Sequence, residues 1–294
     1  MDLSLIWQGI VSGLLLGCVY ALVATGLTMI FGVMKVLNLA HGEFVMLGMY
    51  GAYAVVLATG MDPYLACFVT VPVLAVLGAI IYWVLVRPVL RTGNENSPIV
   101  LTVGLLLVLQ NLAVFFMTGN FRTLSSDYQF SSFKLASNVF VPIPLFIGAM
   151  GSVAATVLLF FFLRKTELGL ALRAVASRPA SAPLVGINVQ RVFVISFALG
   201  SACAGLAAVL LAPVYPFSPT TGGQYTLTAL LVVILGGLGN YAGALAGALI
   251  VGVTQSVGVL YLSDGVASSL VLCMVIAVLL LRPQGLFANT TTRA

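Results

Sequence analysis

Long apolar runs dominate the chain. They fall at 5–33, 41–60, 63–86, 98–118, 143–163, 191–212, 225–238, 241–261 and 265–281. Most reach the roughly 20 residues that carry a helix across a ~30 Å hydrocarbon core. The strict alternation of a membrane β-barrel is absent. The pattern therefore predicts an all-α polytopic membrane protein with eight to nine transmembrane helices, and a single membrane domain over 1–294. The weak member is 225–238, which ends early at Gly236-Gly237-Leu238-Gly239 and predicts a tilted or broken helix.

The connections are short except for two. The stretch 119–142 is polar, with Ser, Asn and Pro and both charge signs, and Pro142 and Pro144 open the next run. The stretch 164–191, between two long runs, carries Arg164, Lys165, Arg173, Arg178 and Arg191 against one acid, Glu167. Leu168, Leu172 and Val175 fall at helical spacing, which predicts a short amphipathic helix from Glu167 to Ala176. Thr166 is its expected N-cap, and Glu167 suits the positive end of the helix dipole. Arg178-Pro179 breaks it, because a residue before proline avoids the α region. A second short helix is predicted from Ser181 to Gly186, with Pro183 tolerated in the first turn. Two short helices on a basic loop between spans form a docking surface, through which another protein is expected to drive this one.

Charge placement sets the expected orientation. If Lys35, Arg87, Arg91, the 164–191 loop and Arg282 face the cytoplasm, only Arg122 and Lys134, beside Asp127, lie outside. That arrangement needs nine crossings, with the N-terminus outside and the C-terminus inside. The alternative is eight crossings, with 225–238 entering and leaving on one side. The first run lacks a basic leader and a small-residue cleavage site, so it is expected to be a retained span rather than a signal peptide.

Composition agrees with the pattern. Of 294 residues, 61% are hydrophobic and 6% charged, against about 25% charged in soluble chains. The mean hydropathy is +1.18. The net charge of +5 forms no basic, aromatic-interleaved patch, so nucleic acid is not an expected partner. Membrane lipid is. Cys18, Cys67, Cys203 and Cys273 lie inside apolar runs without CxxC spacing and read as small buried hydrophobes, with no metal site. HExxH, GxSxG and a Walker A loop are all absent, so no catalytic residue and no bound ATP or other cofactor is expected on this chain.

Few polar groups lie within the runs. One cluster is Asn38-Leu39-Ala40-His41-Gly42-Glu43, which holds the only histidine. Asn38 can cap the second helix, Glu43 suits its first turn and Gly42 leaves room for close packing. The plain reading is a helix start at the cytoplasmic interface. The functional reading makes Asn38, His41, Gly42 and Glu43, with Gly236, Gly237 and Gly239, lining or gate residues of a path. Gly9, Gly13 and Gly17, and likewise Gly239, Gly243 and Gly247, form four-residue ladders suited to close helix packing.

Several segments resemble the LivH-type permease family of bacterial high-affinity branched-chain amino-acid ABC importers. They are ALVATGLTMIFGVMKVLNLAHGEFVMLG at 21–48, RPVLR at 87–91, LGLALRAVASRPASAPLVGINVQRV at 168–192, VVILGGLGNYAGALAGALIVG at 232–252 and LLLRPQGLF at 279–287. The resemblance implies an inner-membrane pore subunit that pairs with a second permease. Two cytoplasmic ATPase subunits bind the ATP, and a periplasmic substrate-binding protein delivers the substrate. It also implies that Glu167, Gly169, Arg173, Ala174, Ser177, Gly186 and Ile187 belong to the ATPase-coupling segment. One position departs: where family members often carry acid after the Arg173–Ala176 stretch, this chain reads Ser177-Arg178-Pro179, which calls for a more acidic partner groove. Relatives also handle urea and short amides. A passive channel or an ion-coupled transporter remains the reading from another class, although paired intramembrane acids and bases are lacking.

Overall fold

A computed structural model describes residues 3–94, 96–126, 128–136 and 139–287. Asp127 and the two ends of the chain lie outside the described residues. The helices are α1 (Leu3–Met34), α2 (His41–Thr59), α3 (Cys67–Ile81), α4 (Arg87–Leu90), α5 (Ser97–Met117), α6 (Ile143–Lys165), α7 (Glu167–Ser177), α8 (Val189–Leu211), α9 (Thr221–Gly236), α10 (Tyr241–Tyr261) and α11 (Asp264–Leu281). A 3-10 turn at Pro63–Ala66 and a π turn at Tyr82–Val86 join α3 and α4 into one apolar rod over Pro63–Leu90. Two strands, β1 (Ser132–Ala136) and β2 (Val139–Pro142), pair antiparallel in the 119–142 stretch.

Among the described residues, eight helices are long and apolar enough to cross a membrane. The ninth apolar element, α9, has 16 residues, about 24 Å of helix against a ~30 Å core. Together with the segment before it, it links opposite ends of the bundle. On one side, Phe217 before it pairs with Arg122 in the loop after α5. On the other, Gly239 just after it faces Gly32 near the end of α1. A turn closed by the Thr221 N–H donating to the Ser218 carbonyl at 3.0 Å leads from Phe217 into the helix.

The core is built on α1, whose 32 residues extend about 48 Å. Its glycines allow a close antiparallel crossing with α10. A Cβ on Gly13 would stand 2.5 Å from the Val253 Cα, and one on Gly17 would stand 2.9 Å from the Ala248 carbonyl oxygen. Gly243 and Gly247 serve a different contact, facing Gly236 and Val232 on α9, while Gly239 sits in the turn between. Helix α8 runs antiparallel to α1: the Ser196 hydroxyl donates to the Met29 carbonyl at 3.1 Å. All four cysteines are free; Cys18, Cys67 and Cys203 are partly buried. Cys273 corrects the expectation of burial, since it lies exposed on α11, which presents an apolar outer face.

Candidate functional site

The six residues after α1 do not stay at its end. Lys35 takes a left-handed conformation, φ 56°, and the chain turns back along α1. The His41 Nε2–H donates to the Val23 carbonyl at 3.0 Å, eleven residues short of Met34 on α1. Helix α2 therefore begins about 16 Å back along the axis from that end, deep inside the bundle. Asn38, His41 and Glu43 are fully buried. This differs from a helix start at the interface.

Backbone groups at this depth have no water and must be satisfied by protein. The Thr102 hydroxyl on α5 donates to the Leu37 carbonyl at 3.2 Å. The Asn38 side chain accepts from the Ala40 N–H at 3.2 Å, rather than capping α2 directly. The Gly42 N–H, a first-turn donor without an intrahelical acceptor, donates to the Thr226 hydroxyl at 2.9 Å.

That last bond joins two helix starts. Helix α9 begins beside the start of α2, and the contact is as close as glycine permits. A Cβ on Gly42 would collide with the Gly222 carbonyl and with Thr226. A Cβ on Gly222 would stand 2.5 Å from the Glu43 Cδ. The Glu43 carboxyl thus packs on the Gly222 Cα, and neither of its oxygens has a hydrogen-bond partner among the described residues. The His41 Nδ1 and the Asn38 Nδ2 are likewise buried and unpartnered.

The far end of α9 closes a second arrangement. Gly237 (φ 98°) and Gly239 (φ 84°) make the turn into α10. The Asn240 side chain caps α10 by accepting from the Gly243 N–H at 3.1 Å. The tail after α11 folds over this turn, with the Leu286 N–H donating to the Leu235 carbonyl at 2.9 Å. Beside it lies a cavity of about 1050 Å³ between α6, α7, α10 and the end of α11. Thr25, Phe160, Arg164, Arg173, Gly237 and Gly239 are among its lining residues. Two candidate sets thus meet here: the glycine turn and the basic loop, through Arg164 and Arg173. Gly236 packs on Gly243 instead, and Asn38, His41, Gly42 and Glu43 lie away from the cavity.

The basic loop folds as its pattern predicts, one residue longer. Helix α7 spans Glu167–Ser177, with Thr166 accepting from the Gly169 N–H at 3.0 Å. Leu172 and Val175 are buried beneath it. Gly169 lets α7 fold back on α6, since a Cβ there would stand 2.5 Å from the Leu163 Cα. The second helix is a single 3-10 turn, Ala182–Val185, closed by Gly186 at φ 82°. Glu167, Arg173, Ser177, Arg178 and Gly186 are exposed, while Ala174 and Ile187 are half-buried. At the tip Leu184 is 86% and Val185 75% exposed. Sequence reasoning passed over this apolar pair, although two large aliphatic residues in a charged turn were a readable signal.

Residues 9–281 match the family described as branched-chain amino acid transport system, permease component. The high-affinity branched-chain amino acid transport system permease protein BraD of Pseudomonas aeruginosa is 32% identical, with 96% of this chain and 95% of that protein aligned. The corresponding protein LivH of Escherichia coli K12 is 30% identical over the same shares. A probable branched-chain amino acid transport permease of Methanocaldococcus jannaschii is 30% identical over 90% of this chain and 87% of its own. No solved structure matches.

Proposed function

Because the chain belongs to the family of permease components of branched-chain amino acid transport systems, we propose that it is one permease of an ATP-driven importer for branched-chain or chemically related amino acids. The observation that carries this is the basic connection between α6 and α8. It is ordered into two short helices, presents Leu184 and Val185 outward, and places Arg173 on the wall of the cavity. An exposed apolar tip within a cationic surface suits insertion into an acidic cleft of a moving partner. Glu167, Gly169, Arg173, Ala174, Ser177, Gly186 and Ile187 are its contact or supporting residues.

In this reading ATP is bound and hydrolysed by two separate cytoplasmic ATPase subunits, and this chain carries no cofactor. A second permease completes the pore, and a periplasmic binding protein delivers and selects the amino acid. The end of the bundle holding Lys35, Arg87, Arg91, the α6–α8 connection and Arg282 faces the cytoplasm, in keeping with the positive-inside rule. The membrane is then the inner membrane. ATPase movement acts on α7 and, through α1, which packs on both, on α9 and the Gly237–Gly239 turn at its end. Asn38, His41, Gly42, Glu43 and Gly236 lie along the elements that would move.

The test is purification of the tagged protein from its native membrane in mild detergent, with mass spectrometry of what accompanies it. An ATPase and a second permease in near-equal amounts support the importer. A lone chain or a homo-oligomer, without ATPase even after crosslinking, overturns it in favour of a channel or secondary transporter.

A further inference from the structure

The outer end of the bundle holds a cation that no described carboxylate neutralises. Arg122 lies in the loop after α5. Its N–H donates to the Phe217 carbonyl at 2.8 Å and its carbonyl accepts from the Phe217 N–H at 2.9 Å. These two bonds latch the loop onto the segment between α8 and α9. The guanidinium lies 5.2 Å from the Tyr53 ring centre. Nη1 donates to the Tyr53 hydroxyl at 3.2 Å and Nη2 to the Met117 carbonyl at 3.2 Å. Its Nε is buried without a partner.

A second unsatisfied group is nearby. Tyr50 is one turn back on α2, 3% exposed, with its ring edge-on to Phe217 at 5.1 Å. Its hydroxyl has no hydrogen-bond partner among the described residues, and Tyr53, which holds the Arg122 guanidinium, packs on the same Phe217 ring. Asp62, the acid on the α2–α3 connection, is occupied by the Tyr64 N–H and the Tyr128 hydroxyl. Buried polar groups are usually paired, and each exception calls for an explanation. Here a phenol hydroxyl and a guanidinium donor both remain unpartnered among the described residues, at the Tyr50–Phe217–Tyr53 aromatic cluster.

Resting on the amino-acid importer reading above, we propose that Arg122, Tyr53 and Tyr50 form the outer receiving site for the carboxylate of the incoming amino acid, covered in this conformation by the Arg122–Phe217 latch. A guanidinium offers five donors in a planar fork that matches a carboxylate. Charge-assisted bonds of this kind exceed those to a neutral phenol or carbonyl. Opening the latch costs two backbone bonds. The carboxylate then replaces the Tyr53 hydroxyl and the Met117 carbonyl on the guanidinium and takes the free Tyr50 hydroxyl. The Phe217, Tyr50 and Tyr53 rings supply apolar walls for an aliphatic side chain. Binding there is brief, because the site recloses as the amino acid moves inward.

The test uses the complete transporter, with its ATPase, second permease and binding protein, reconstituted in vesicles and supplied with leucine-loaded binding protein. Leucine import and ATP hydrolysis are measured together. Arg122→Gln is expected to cut import about tenfold or more, the scale of a lost charged hydrogen bond. Arg122→Lys keeps a charge without the fork and retains an intermediate rate. Tyr50→Phe keeps the ring packing and loses import by about threefold, one neutral hydrogen bond. In all three, hydrolysis stimulated by loaded binding protein persists, so ATP consumed per leucine rises. Wild-type import in both Arg122→Gln and Tyr50→Phe would overturn the proposal. So would a parallel loss of import, hydrolysis and assembly, which would mark Arg122 as an anchor alone. Failure of the wild-type complex to import any amino acid overturns the importer reading and this inference with it, whereas silent variants in an active complex overturn only the inference.

Discussion

Thr226→Val is the sharpest probe of the fold, because it removes one hydroxyl and almost no volume. That hydroxyl accepts the Gly42 N–H at 2.9 Å where the starts of α2 and α9 touch. Gly42 is in the first turn of α2, so its N–H has no carbonyl within the helix to bond. Thr226 is 4% exposed, so solvent has little access to replace its hydroxyl. A buried donor left unsatisfied costs about 1–3 kcal/mol. For a chain of this size, about 2–4 °C follows from each kcal/mol, so the apparent melting temperature should fall by roughly 2–12 °C. The assay is thermal unfolding of the purified chain at one scan rate in one detergent, because membrane proteins unfold irreversibly in such scans. Thr226→Ser keeps the acceptor and should melt near wild type. A Thr226→Val protein as stable as wild type would show that the junction does not depend on this bond, and the account of the two helix starts would fail.

Four further outcomes are expected. Arg173→Glu should abolish uptake in cells while membrane insertion and co-purification of the second permease continue; unchanged uptake removes the basic loop from its role. Leu184→Asp combined with Val185→Asp should leave the melting temperature unchanged, since both side chains are exposed, yet prevent ATPase co-purification; retained ATPase would locate the contact elsewhere. Gly13→Leu should cost about 1–3 kcal/mol or more, because the new side chain meets backbone at Val253 and Gly252 rather than a movable rotamer; a monodisperse, fully stable variant on size-exclusion chromatography refutes that close crossing. Glu43→Gln should leave melting within about 1 kcal/mol of wild type, because an unpartnered buried carboxylate gains nothing from its charge, and a large loss would reveal an ionic partner.

The sequence was most legible where local chemistry alone decides structure. Thr166, Glu167 and the Leu172–Val175 spacing specify α7 without reference to the rest of the chain, and the apolar runs specify the spans by length. It was least legible where depth matters. Asn38 to Glu43 carry all the marks of a helix start, and they are one. That the start is buried beside Val23 depends on Lys35 turning the chain back, on Thr102 arriving from α5 and on Thr226 arriving from α9. None of those partners is near in sequence. The short run at 225–238 drew attention for the right reason, yet the helix begins earlier, at Thr221. Threonine and glycine at its start are not apolar, but their polar groups are satisfied by neighbours rather than by water. In the sequence Arg122 stands out only as an exception to the charge rule, because its aromatic neighbours Tyr50, Tyr53 and Phe217 come from two distant segments.

A broken helix inside hydrocarbon is expensive, since every freed N–H and C=O needs a protein partner. This bundle carries two such starts and places them against each other, so that Thr226 of α9 satisfies the Gly42 N–H of α2. The arrangement also makes a continuous series of contacts. Helix α7 packs on α1, and α1 packs on α9, which Gly237 ends. The start of α9 grips the start of α2 through Thr226, Gly42, Gly222 and Glu43, and α2 carries Tyr50 and Tyr53 to Arg122 at the opposite end. Contact alone does not establish coupling. It does identify a polar link on that route. Along α2 and α9 the backbone itself transmits displacement, whereas between them the helices pack and the one hydrogen bond is from the Gly42 N–H to the Thr226 hydroxyl. If the proposed importer moves its outer end through this route, Thr226→Val should lower leucine import per ATP hydrolysed even at temperatures where the protein remains folded.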